Sequence, residues 1–431
     1  MATRHPLPTA APHERAILVG VDRGGSCDWP LAESLAELAR LVETDGAIVV
    51  GELTQRLDQP VPKTFIGSGK AAELKELVQA LDADVVVFDD ELKPTQQANL
   101  ERILGRDVKV IDRTALILDI FGRHAATKEG RLQVQEAQLA YVLPRLRGMW
   151  SHLMGEQTRG GIGSRFGQGE SQLEVDRRLV RNRLSALRKD LAKVETQRET
   201  QSKARWDSGV YRVAFAGYTN AGKSTLLNAL TGADVYAKDE LFATLDPTTR
   251  ALDLAEGRKV TLTDTVGFIQ KIPTRLVQSF KSTLAEVRGA DLVLDVVDAS
   301  DPQWPAQVRA VEETLASIDA GDIDRVLVLN KVDLLSSEDR ERLRLEHPEA
   351  VLVSATEGTG LDGLLHRVAL EAAKGDVLLT ALIPYSKGLL TKAVHEQGQI
   401  VRESYGEDGL LVTARVPERL AGHLAPYRVE E

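Results

Sequence analysis

The octapeptide GYTNAGKS, residues 217–224, constrains the fold of this chain more than any other stretch. It follows an apolar run, VYRVAFAG, and precedes KSTLLNAL, whose apolar residues recur at helical spacing. Gly-x4-Gly-Lys-Ser between a strand and a helix is the phosphate-loop pattern, in which backbone N–H groups and the helix dipole bind phosphates. Gly222 must adopt a conformation closed to bulkier residues, Lys223 can reach the β- and γ-phosphates, and Ser224 can offer a hydroxyl to Mg²⁺. The stretch therefore predicts an α/β nucleotide-binding domain.

A second motif, NKVD at residues 330–333, ends the apolar run RVLVL and is placed to read the base. The Asp333 carboxylate can accept hydrogen bonds from N1–H and N2–H of guanine, whereas adenine offers no such pair of donors. With adenine in the site, the desolvated carboxylate would have no pair of donors to satisfy it. This cost discriminates strongly against adenine nucleotides. Asn330 would brace the loop, Lys331 would lay its stem over the base, and the backbone of VSA (residues 353–355) would cap the guanine oxygen. These residues predict GTP rather than ATP.

The segments between these two motifs are typical of the switch loops of a GTPase. Asp264, at the end of KVTLTDT, is placed to hold Mg²⁺ through water, and Gly267 can donate its N–H to the γ-phosphate. One threonine of LFATLDPTTR should bind Mg²⁺ when GTP is present. Thr244, Thr248 and Thr249 compete for that role, and spacing alone does not choose among them.

DTVG is followed by Phe268, where the familiar GTPase pattern has a glutamine that orients the attacking water. A phenyl ring cannot orient water. Positioning of the water and stabilisation of charge must then come from elsewhere in the switch loops or from a partner.

The N-terminal part of the chain reads as a separate α/β unit. Apolar β-branched runs (AILVGVD, AIVVGEL, DVVVFDD, VKVID) alternate with helical patterns such as LAESLAELARLVE and GKAAELKELVQALDA. That alternation predicts a largely parallel sheet. IGSGK (residues 66–70) lacks the phosphate-loop spacing, so a glycine turn that opens a helix is favoured over a second phosphate site.

The middle of the chain predicts a basic helical hairpin. Two stretches with apolar residues at helical spacing, the second with coiled-coil periodicity, flank GEQTRGGIGSRFGQG (residues 155–169). Between residues 123 and 205, 17 Lys and Arg stand against 9 Asp and Glu, a net charge of +8, while the rest of the chain, with 37 against 55, carries −18. Two interpretations stay open: a flexible connector with solvated charged helices, or a surface that contacts the phosphates of a polyanion through Arg159 and Arg165.

The length of 431 residues favours two to four domains. We expect an N-terminal α/β domain (1–122), the helical hairpin (123–205), a phosphate-loop G-domain (209–374) and a small C-terminal domain (375–431). The C-terminal stretches DVLLTALIPY and GLLVTARVP alternate in polarity and suggest a small αβ or β-rich cap. The fold class is thus multidomain α/β.

The cysteine count and the lengths of the apolar runs indicate the cellular compartment. The single cysteine, Cys27, excludes a disulfide framework and favours a reducing environment. No apolar run approaches the roughly 20 residues that cross a bilayer, and the first 20 residues lack the apolar region of a signal peptide. We expect a monomeric, cytoplasmic protein without a membrane span. Partial association with a membrane stays open.

The motifs together resemble those of the HflX family of translational GTPases. The resemblance rests on GYTNAGKST, DELFATLDPTTR, DTVGFI and NKVD, and on the more distinctive TFIGSGKAAEL, GQGESQLEVDRRLVR and LIPYSKGLL, and it covers nearly the whole chain. The family pattern implies that Thr244 is the Mg²⁺-binding threonine. It also implies a hydrophobic residue at position 268, binding to the large (50S) ribosomal subunit and its RNA with stimulation of hydrolysis, and splitting or rescue of stalled ribosomes. The hairpin tip with Arg159 and Arg165 would then contact ribosomal RNA, and the C-terminal domain would offer an RNA or protein contact surface or merely shield the G-domain.

The resulting predictions are of three kinds. Catalysis is assigned to Lys223, Thr244 and Gly267, and metal binding to Ser224 and Thr244, with Asp264 acting through water. The predicted GTP-binding residues are Gly217, Tyr218, Thr219, Asn220, Ala221, Gly222, Lys223, Ser224, Thr225, Phe242, Ala243, Thr244, Leu245, Asp246, Asp264, Thr265, Val266, Gly267, Asn330, Lys331, Val332, Asp333, Val353, Ser354 and Ala355.

Two functional classes stay open beside each other. The first is a GTPase activated by the ribosome, with GTP and GDP as ligands and Mg²⁺ as cofactor. The second is a GTP-timed module for RNA binding or ribosome assembly, in which slow hydrolysis only times release. ATP-dependent RNA remodelling by the N-terminal half is a weaker third, because IGSGK is incomplete. Multiple turnover in the presence of large subunits discriminates among them.

Overall fold

The computed structural model describes residues 13–24, 29–105, 107–153, 172–207, 210–232, 241–242, 244–254, 258–271 and 281–429. The chain divides into two compact units. One consists of the residues up to Asp190 together with Lys271–Ser279, and the other of Leu191–Gln270 and Phe280–Glu431. Cys27, Ala243 and the predicted hairpin tip with Arg159 and Arg165 lie outside the described residues.

The first unit contains a four-stranded parallel sheet in the order β2-β1-β3-β4. Its strands are β1 (Arg15–Asp22), β2 (Ile48–Arg56), β3 (Val85–Phe88) and β4 (Lys109–Asp112). Its helices are α1 (Leu31–Thr44), α2 (Ser68–Leu81), α3 (Pro94–Leu104) and α4 (Arg113–His124). The inner strands β1 and β3 read as apolar runs because an inner strand of a parallel sheet is buried on both faces, and all four residues of β3 are buried. The predicted parallel sheet is confirmed.

The stretch IGSGK opens a helix, as expected. Helix α2 begins at Ser68, directly after Gly67. The Gly67 N–H donates to Gln55 Oε1 at 2.9 Å, and Lys70 Nζ pairs with Glu73 at 2.9 Å. The polar groups of this turn are thus engaged within their own domain.

Two long helices, α5 (Lys128–Leu153) and α6 (Gln172–Asp207), form the predicted helical segment. The Arg188 guanidinium of α6 donates to Glu136 of α5 at 2.9 Å. Helix α5 also packs on α3 and α4, which its periodicity did not indicate. Arg145 lies over the Tyr141 ring at 3.4 Å from its centroid, and both side chains bond to the Asp112 carboxylate at the end of β4. The hairpin is therefore anchored on the N-terminal sheet through a buried polar network.

The second unit contains a six-stranded sheet in the order β10-β9-β8-β5-β7-β6. Every neighbouring pair is parallel except β6 and β7, which form an antiparallel hairpin. The strands are β5 (Tyr211–Gly217), β6 (Thr248–Asp253), β7 (Lys259–Asp264), β8 (Leu292–Asp298), β9 (Arg325–Asn330) and β10 (Val351–Leu352). The helices are α7 (Lys223–Thr231), α8 (Lys281–Arg288), α9 (Trp304–Ser317), α10 (Ser337–Glu346) and α11 (Leu361–Ala372).

A three-stranded antiparallel sheet follows, in the order β11-β13-β12. Its strands are β11 (Asp376–Ile383), β12 (Gln399–Tyr405) and β13 (Leu410–Pro417), and its helices are α12 (Gly388–Gln397) and α13 (Glu418–Leu424). Alternate residues of β13 (Leu410, Val412, Ala414 and Val416) are buried in a core that includes Val394 of α12 and Leu420 of α13. The multidomain α/β class is thus confirmed. The C-terminal segment combines strands and helices, the αβ arrangement of the two that were expected, and it belongs to the same compact unit as the phosphate-loop sheet. The domain boundary at residue 375 stays a prediction. No helix in the described part of the chain combines the length and apolarity needed to cross a membrane.

A buried ion pair ties the C-terminal sheet to the β6–β7 hairpin inside the second unit. The Arg258 guanidinium, one residue before β7, binds the Asp376 carboxylate at the start of β11 and donates to the Ala372 carbonyl at the end of α11. The two side chains are only 5% and 3% exposed. Charges so poorly hydrated are stable only when they are paired, so each partner depends on the other.

Candidate nucleotide site

The phosphate loop joins β5 to α7 in the conformation that its glycines predict. Gly222 has a φ of 92°, in the left-handed region, and a Cβ there would lie 2.3 Å from Asn330 Nδ2. Any larger residue would be strained and would also displace Asn330. Since β5, β7 and β9 are parallel and end at Gly217, Asp264 and Asn330, their motifs meet at one edge of the sheet.

Asn330 links the phosphate loop to the segment after β10. Its Nδ2 donates to the Ala221 carbonyl at 2.9 Å, and its Oδ1 accepts from the Ala355 N–H at 3.1 Å. Its side chain is buried. This is the bracing geometry expected of the motif, and it holds residues 353–355 beside the loop.

The side chains of Lys331 and Asp333 differ in whether they already have partners among the described residues. Lys331 Nζ forms an ion pair with Asp298 at 2.8 Å and the residue has a positive φ. Asp333 Oδ1 is buried and has no hydrogen-bond partner among the described residues. An unsatisfied buried carboxylate oxygen is costly, so this atom is poised to accept from a ligand donor.

Three oxygen-bearing side chains converge beside α7. Ser224 Oγ lies 2.7 Å from Thr244 Oγ1 and 2.5 Å from Asp264 Oδ2. Burial raises the pKa of the Asp264 carboxyl against the opposing effect of the Lys223 ammonium, and its second oxygen has no partner in the described structure. Hydroxyl and carboxylate oxygens are the ligands that Mg²⁺ prefers, and a cation would restore the ionised carboxylate. The cluster therefore fits a Mg²⁺ ion.

The other two candidate threonines are placed differently. Thr249 Oγ1 bonds to Thr263 Oγ1 at 2.9 Å, and Thr248 lies in β6 opposite Asp264 in the strand ladder. Only Thr244, of the three, bonds to Ser224. The geometry thus favours Thr244, and its role as a metal ligand stays a prediction.

Lys223 is buried and bonds to backbone of its own loop. Its Nζ donates to the Gly217 carbonyl at 3.0 Å and to the Tyr218 carbonyl at 2.8 Å. Burial lowers the pKa of the ammonium to about 8, and the carboxylates of Asp264 and Asp295 only partly oppose that shift. A phosphate anion beside Nζ would stabilise the charged form.

Phe268 is buried and adjoins the phosphate loop. It is 1% exposed, and its backbone pairs with the phosphate loop: the Phe268 N–H donates to the Gly217 carbonyl at 3.1 Å, and the Thr219 N–H donates to the Phe268 carbonyl at 2.7 Å. The Gln270 N–H donates to the Tyr218 hydroxyl at 2.7 Å. These bonds fix Gly267 against the loop.

Thr219, one of the predicted GTP-binding residues, is a polar side chain of the loop to which the sequence assigned no specific contact. Thr219 is 7% exposed, and its Oγ1 finds no hydrogen-bond partner within the described residues. The loop pattern leaves its third position unspecified, so the only available signal was a hydroxyl residue at that position. Among the other predicted residues, Phe242 and Leu245 are buried, and Ala243 lies outside the described ranges.

The similarity of this chain to known proteins extends well beyond the residues of the nucleotide site. Family models described as "GTP-binding GTPase N-terminal", "GTP-binding GTPase Middle Region" and "50S ribosome-binding GTPase" match residues 32–122, 124–205 and 212–331. GTPase HflX of Caldanaerobacter subterraneus subsp. tengcongensis is 46% identical over 403 residues, 94% of this chain and 91% of that protein. GTPase HflX of Escherichia coli (strain K12) is 45% identical over 399 residues, 92% of each chain.

Among solved structures, a "crystal structure of SsGBP and GDP complex" is 24% identical, with a TM-score of 0.46, and covers 84% of this chain and 99% of that one.

Proposed function

The chain belongs to the HflX family of GTPases, and from that premise we propose that it hydrolyses GTP on the large ribosomal subunit and thereby splits or rescues stalled ribosomes. GTP hydrolysis itself follows from the family, because relatives named GTPase HflX are 45% to 46% identical over more than nine-tenths of the chain. The ribosomal role is supported by the "50S ribosome-binding GTPase" model that matches residues 212–331.

Guanine would be read by Asp333. Its Oδ1 is a buried acceptor without a partner among the residues that the structure describes, and N1–H and N2–H of guanine are donors that would satisfy a carboxylate at this position. Asn330 holds the neighbouring segment in register, so that the Ala355 backbone lies beside the base.

Phosphate binding would fall to the loop and to Lys223. When the γ-phosphate binds, Lys223 Nζ would exchange its bonds with the Gly217 and Tyr218 carbonyls for phosphate oxygens, while the Gly267 N–H donates to the γ-phosphate. Ser224 and Thr244 would bind Mg²⁺ directly, with Asp264 acting through water. The metal supplies neutralisation of the charge on the β- and γ-phosphates.

The observation that carries the ribosome-dependent proposal is a buried phenylalanine at position 268. It is 1% exposed, and its phenyl ring has no group that could orient water. Slow intrinsic turnover follows, and completion of the site by a partner could raise the rate by roughly 10³ to 10⁵. A large ribosomal subunit is the partner that the matching family description indicates.

The test is steady-state GTP turnover with and without purified large subunits across a salt series. We expect slow turnover alone and multiple, much faster turnovers with subunits. Replacing Arg159 and Arg165 by alanine should weaken the stimulation and lower the salt slope by about 0.7 to 0.9 per lost phosphate contact, with free-protein hydrolysis unchanged. Fast hydrolysis without ribosomes would reject partner activation, and a single turnover with subunits would favour the GTP-timed module instead.

A further inference from the structure

The three-stranded sheet of the C-terminal segment is covered by helices on one face. Alternate side chains of β13, among them Val412 and Ala414, share a core with Val394 of α12 and Leu420 of α13. The side chains between them point away from that core, because successive residues of a strand alternate in direction. One of these is Leu411, which is 38% exposed. In the described structure, the second face of the sheet is therefore open to solvent.

Strand pairing determines which side chains share this second face. Residues directly opposite each other in an antiparallel ladder lie on the same face. The pairs between β11 and β13 are Leu382 with Leu411, Thr380 with Thr413 and Leu378 with Arg415, and Arg402 of β12 lies opposite Thr413 on the other side. The Thr380 and Thr413 hydroxyls are hydrogen-bonded at 3.0 Å, which fits this arrangement. We call these seven residues the open face.

The apolar residues of the open face are partly exposed and close together. Leu378 is 53% exposed, and Leu382, which is partly buried, lies opposite Leu411. The three leucines frame the Thr380–Thr413 pair. Single exposed leucines are common on protein surfaces, but neighbouring exposed leucines beside polar residues are typical of an interaction site.

The charged residues of the open face have one sign. Arg402 and Arg415 are exposed, and within the described residues no carboxylate forms an ion pair with either of them. Glu403 points to the opposite face, because its carboxylate pairs with His395 of α12 at 3.0 Å. Asp376, the next outward position of β11, is already bound in the buried ion pair described above. The two arginines thus give the open face a charge of +2 in a chain of net charge −10, so it complements an acidic partner.

The size and composition of the open face select among acidic partners. Three strands are about 10 Å across, and residues 378–382 extend about 13 Å along β11. These dimensions match the diameter and about two turns of one α-helix. RNA that binds a sheet stacks its bases on aromatic side chains, and the open face carries none. A second copy of the same face would bring arginines against arginines, which is repulsive.

From these observations we propose that the open face binds an acidic amphipathic helix of a protein partner. Leu378, Leu382 and Leu411, on the β11 side, pack against the apolar stripe of that helix. Arg402 and Arg415, on the β12 side, pair with its Asp or Glu residues. Because the cations lie along one side only, they also fix the orientation of the helix. The proposal depends neither on GTP hydrolysis nor on the ribosomal role.

The test measures binding of labelled probes to the full-length protein by fluorescence anisotropy. The first probe is an amphipathic peptide of about 16 residues, with leucines at helical spacing and glutamates beside them. The second peptide has lysine at every glutamate position, and the third probe is an oligouridylate of about 12 nucleotides. We expect the acidic peptide to bind wild type at least about 10-fold more tightly than either of the other two probes.

Three variants locate the binding surface. Leu378→Ser combined with Leu411→Ser should weaken binding of the acidic peptide by about 10-fold or more. Arg402→Glu should weaken it by about 10-fold and strengthen binding of the lysine peptide, a reversal of preference that a loss of folding cannot produce. Leu345→Ser is the matched control, at a leucine of α10 that is 76% exposed, and should bind as wild type does.

Four outcomes would overturn the proposal. Two concern the peptides: no binding of the acidic peptide by wild type, or equal binding of the lysine peptide. The third is tight binding of the oligouridylate that Arg402→Glu abolishes, which would assign the open face to RNA. The fourth is a protein mass that rises with concentration in wild type and not in the double leucine variant, which would assign the open face to a second copy of the chain.

Discussion

Replacing Arg258 by methionine should destabilise the second unit strongly. The change removes the positive partner of Asp376, whose side chain is 3% exposed, and leaves a carboxylate with little hydration. Loss of one partner from a buried ion pair typically costs about 3–5 kcal/mol. The double variant Arg258→Met, Asp376→Leu should recover most of that loss. It should remain about 1–3 kcal/mol below wild type, because the Ala372 carbonyl loses its donor.

The chain offers a matched control in the Arg212–Asp291 pair. This pair lies in the same unit, but its side chains are 29% and 35% exposed. It is bidentate, whereas Arg258 gives one nitrogen to Asp376 and another to the Ala372 carbonyl. Arg212→Met should cost no more than about 1 kcal/mol, because the pair is partly hydrated. The two pairs line one cavity of about 410 Å³ and differ in their hydration.

The pH dependence of stability gives a further check on the role of the buried ion pair. Burial raises the pKa of the Asp376 carboxyl above its ordinary value, against the opposing effect of Arg258, so loss of Arg258 raises it more. The folded variant then takes up a proton at a higher pH than its unfolded chain does. Protonation therefore stabilises the folded variant as pH falls, and the deficit of Arg258→Met relative to wild type should shrink from pH 7 towards pH 4–5.

Urea unfolding combined with amide hydrogen exchange in residues 410–417 measures these differences, since those amides report opening of the C-terminal sheet. Equal losses in Arg258→Met and Arg212→Met would refute the argument from burial. So would a double variant as unstable as Arg258→Met alone.

Three other outcomes are expected at the nucleotide site. Asp333→Asn should weaken GTP and admit xanthosine triphosphate, because an amide can donate to the new carbonyl; a competition assay with an unchanged preference contradicts this. Ser224→Ala and Thr244→Ala should each lower hydrolysis at least about 10-fold with the fold intact, whereas Thr248→Ala should not; wild-type turnover in Thr244→Ala would mean that the wrong threonine was chosen. Gly222→Ala should abolish tight nucleotide binding, since its Cβ would meet Asn330 at 2.3 Å; calorimetric titration with GDP at wild-type affinity would contradict that clash.

Sequence predicted those features that depend on local chemistry. Strands such as β1 and β3 are runs of β-branched residues, and the loop before α7 needs glycine at position 222 whatever surrounds it. The motifs of the site could be predicted to lie together, because each follows a strand and the carboxyl ends of parallel strands share one edge of the sheet.

Features that depend on distant pairs could not be predicted. Arg258 and Asp376 are 118 residues apart, and nothing in the local pattern marks either as buried. The anchoring of α5 through Tyr141, Arg145 and Asp112 is hidden for the same reason. Spacing left three threonines equivalent; the family resemblance implied Thr244, and the three-dimensional contact with Ser224 favours the same residue. Sequence also gave no indication that the Thr219 hydroxyl is buried and lacks a partner within the described part of the chain.

The β6–β7 hairpin has a consequence for motion. It runs from the predicted metal site, where Thr248 is paired with Asp264 in the strand ladder, to the buried Arg258, a span of six residues or roughly 17–20 Å. A slip of one residue between its strands would separate the Thr249 and Thr263 hydroxyls and turn every side chain of one strand to the opposite face. Because Arg258 also fixes the far end to α11 and β11, the hairpin behaves as a rigid strut. We therefore expect changes that accompany GTP hydrolysis to occur in the short loops at its near end, around residues 244–247 and 265–270.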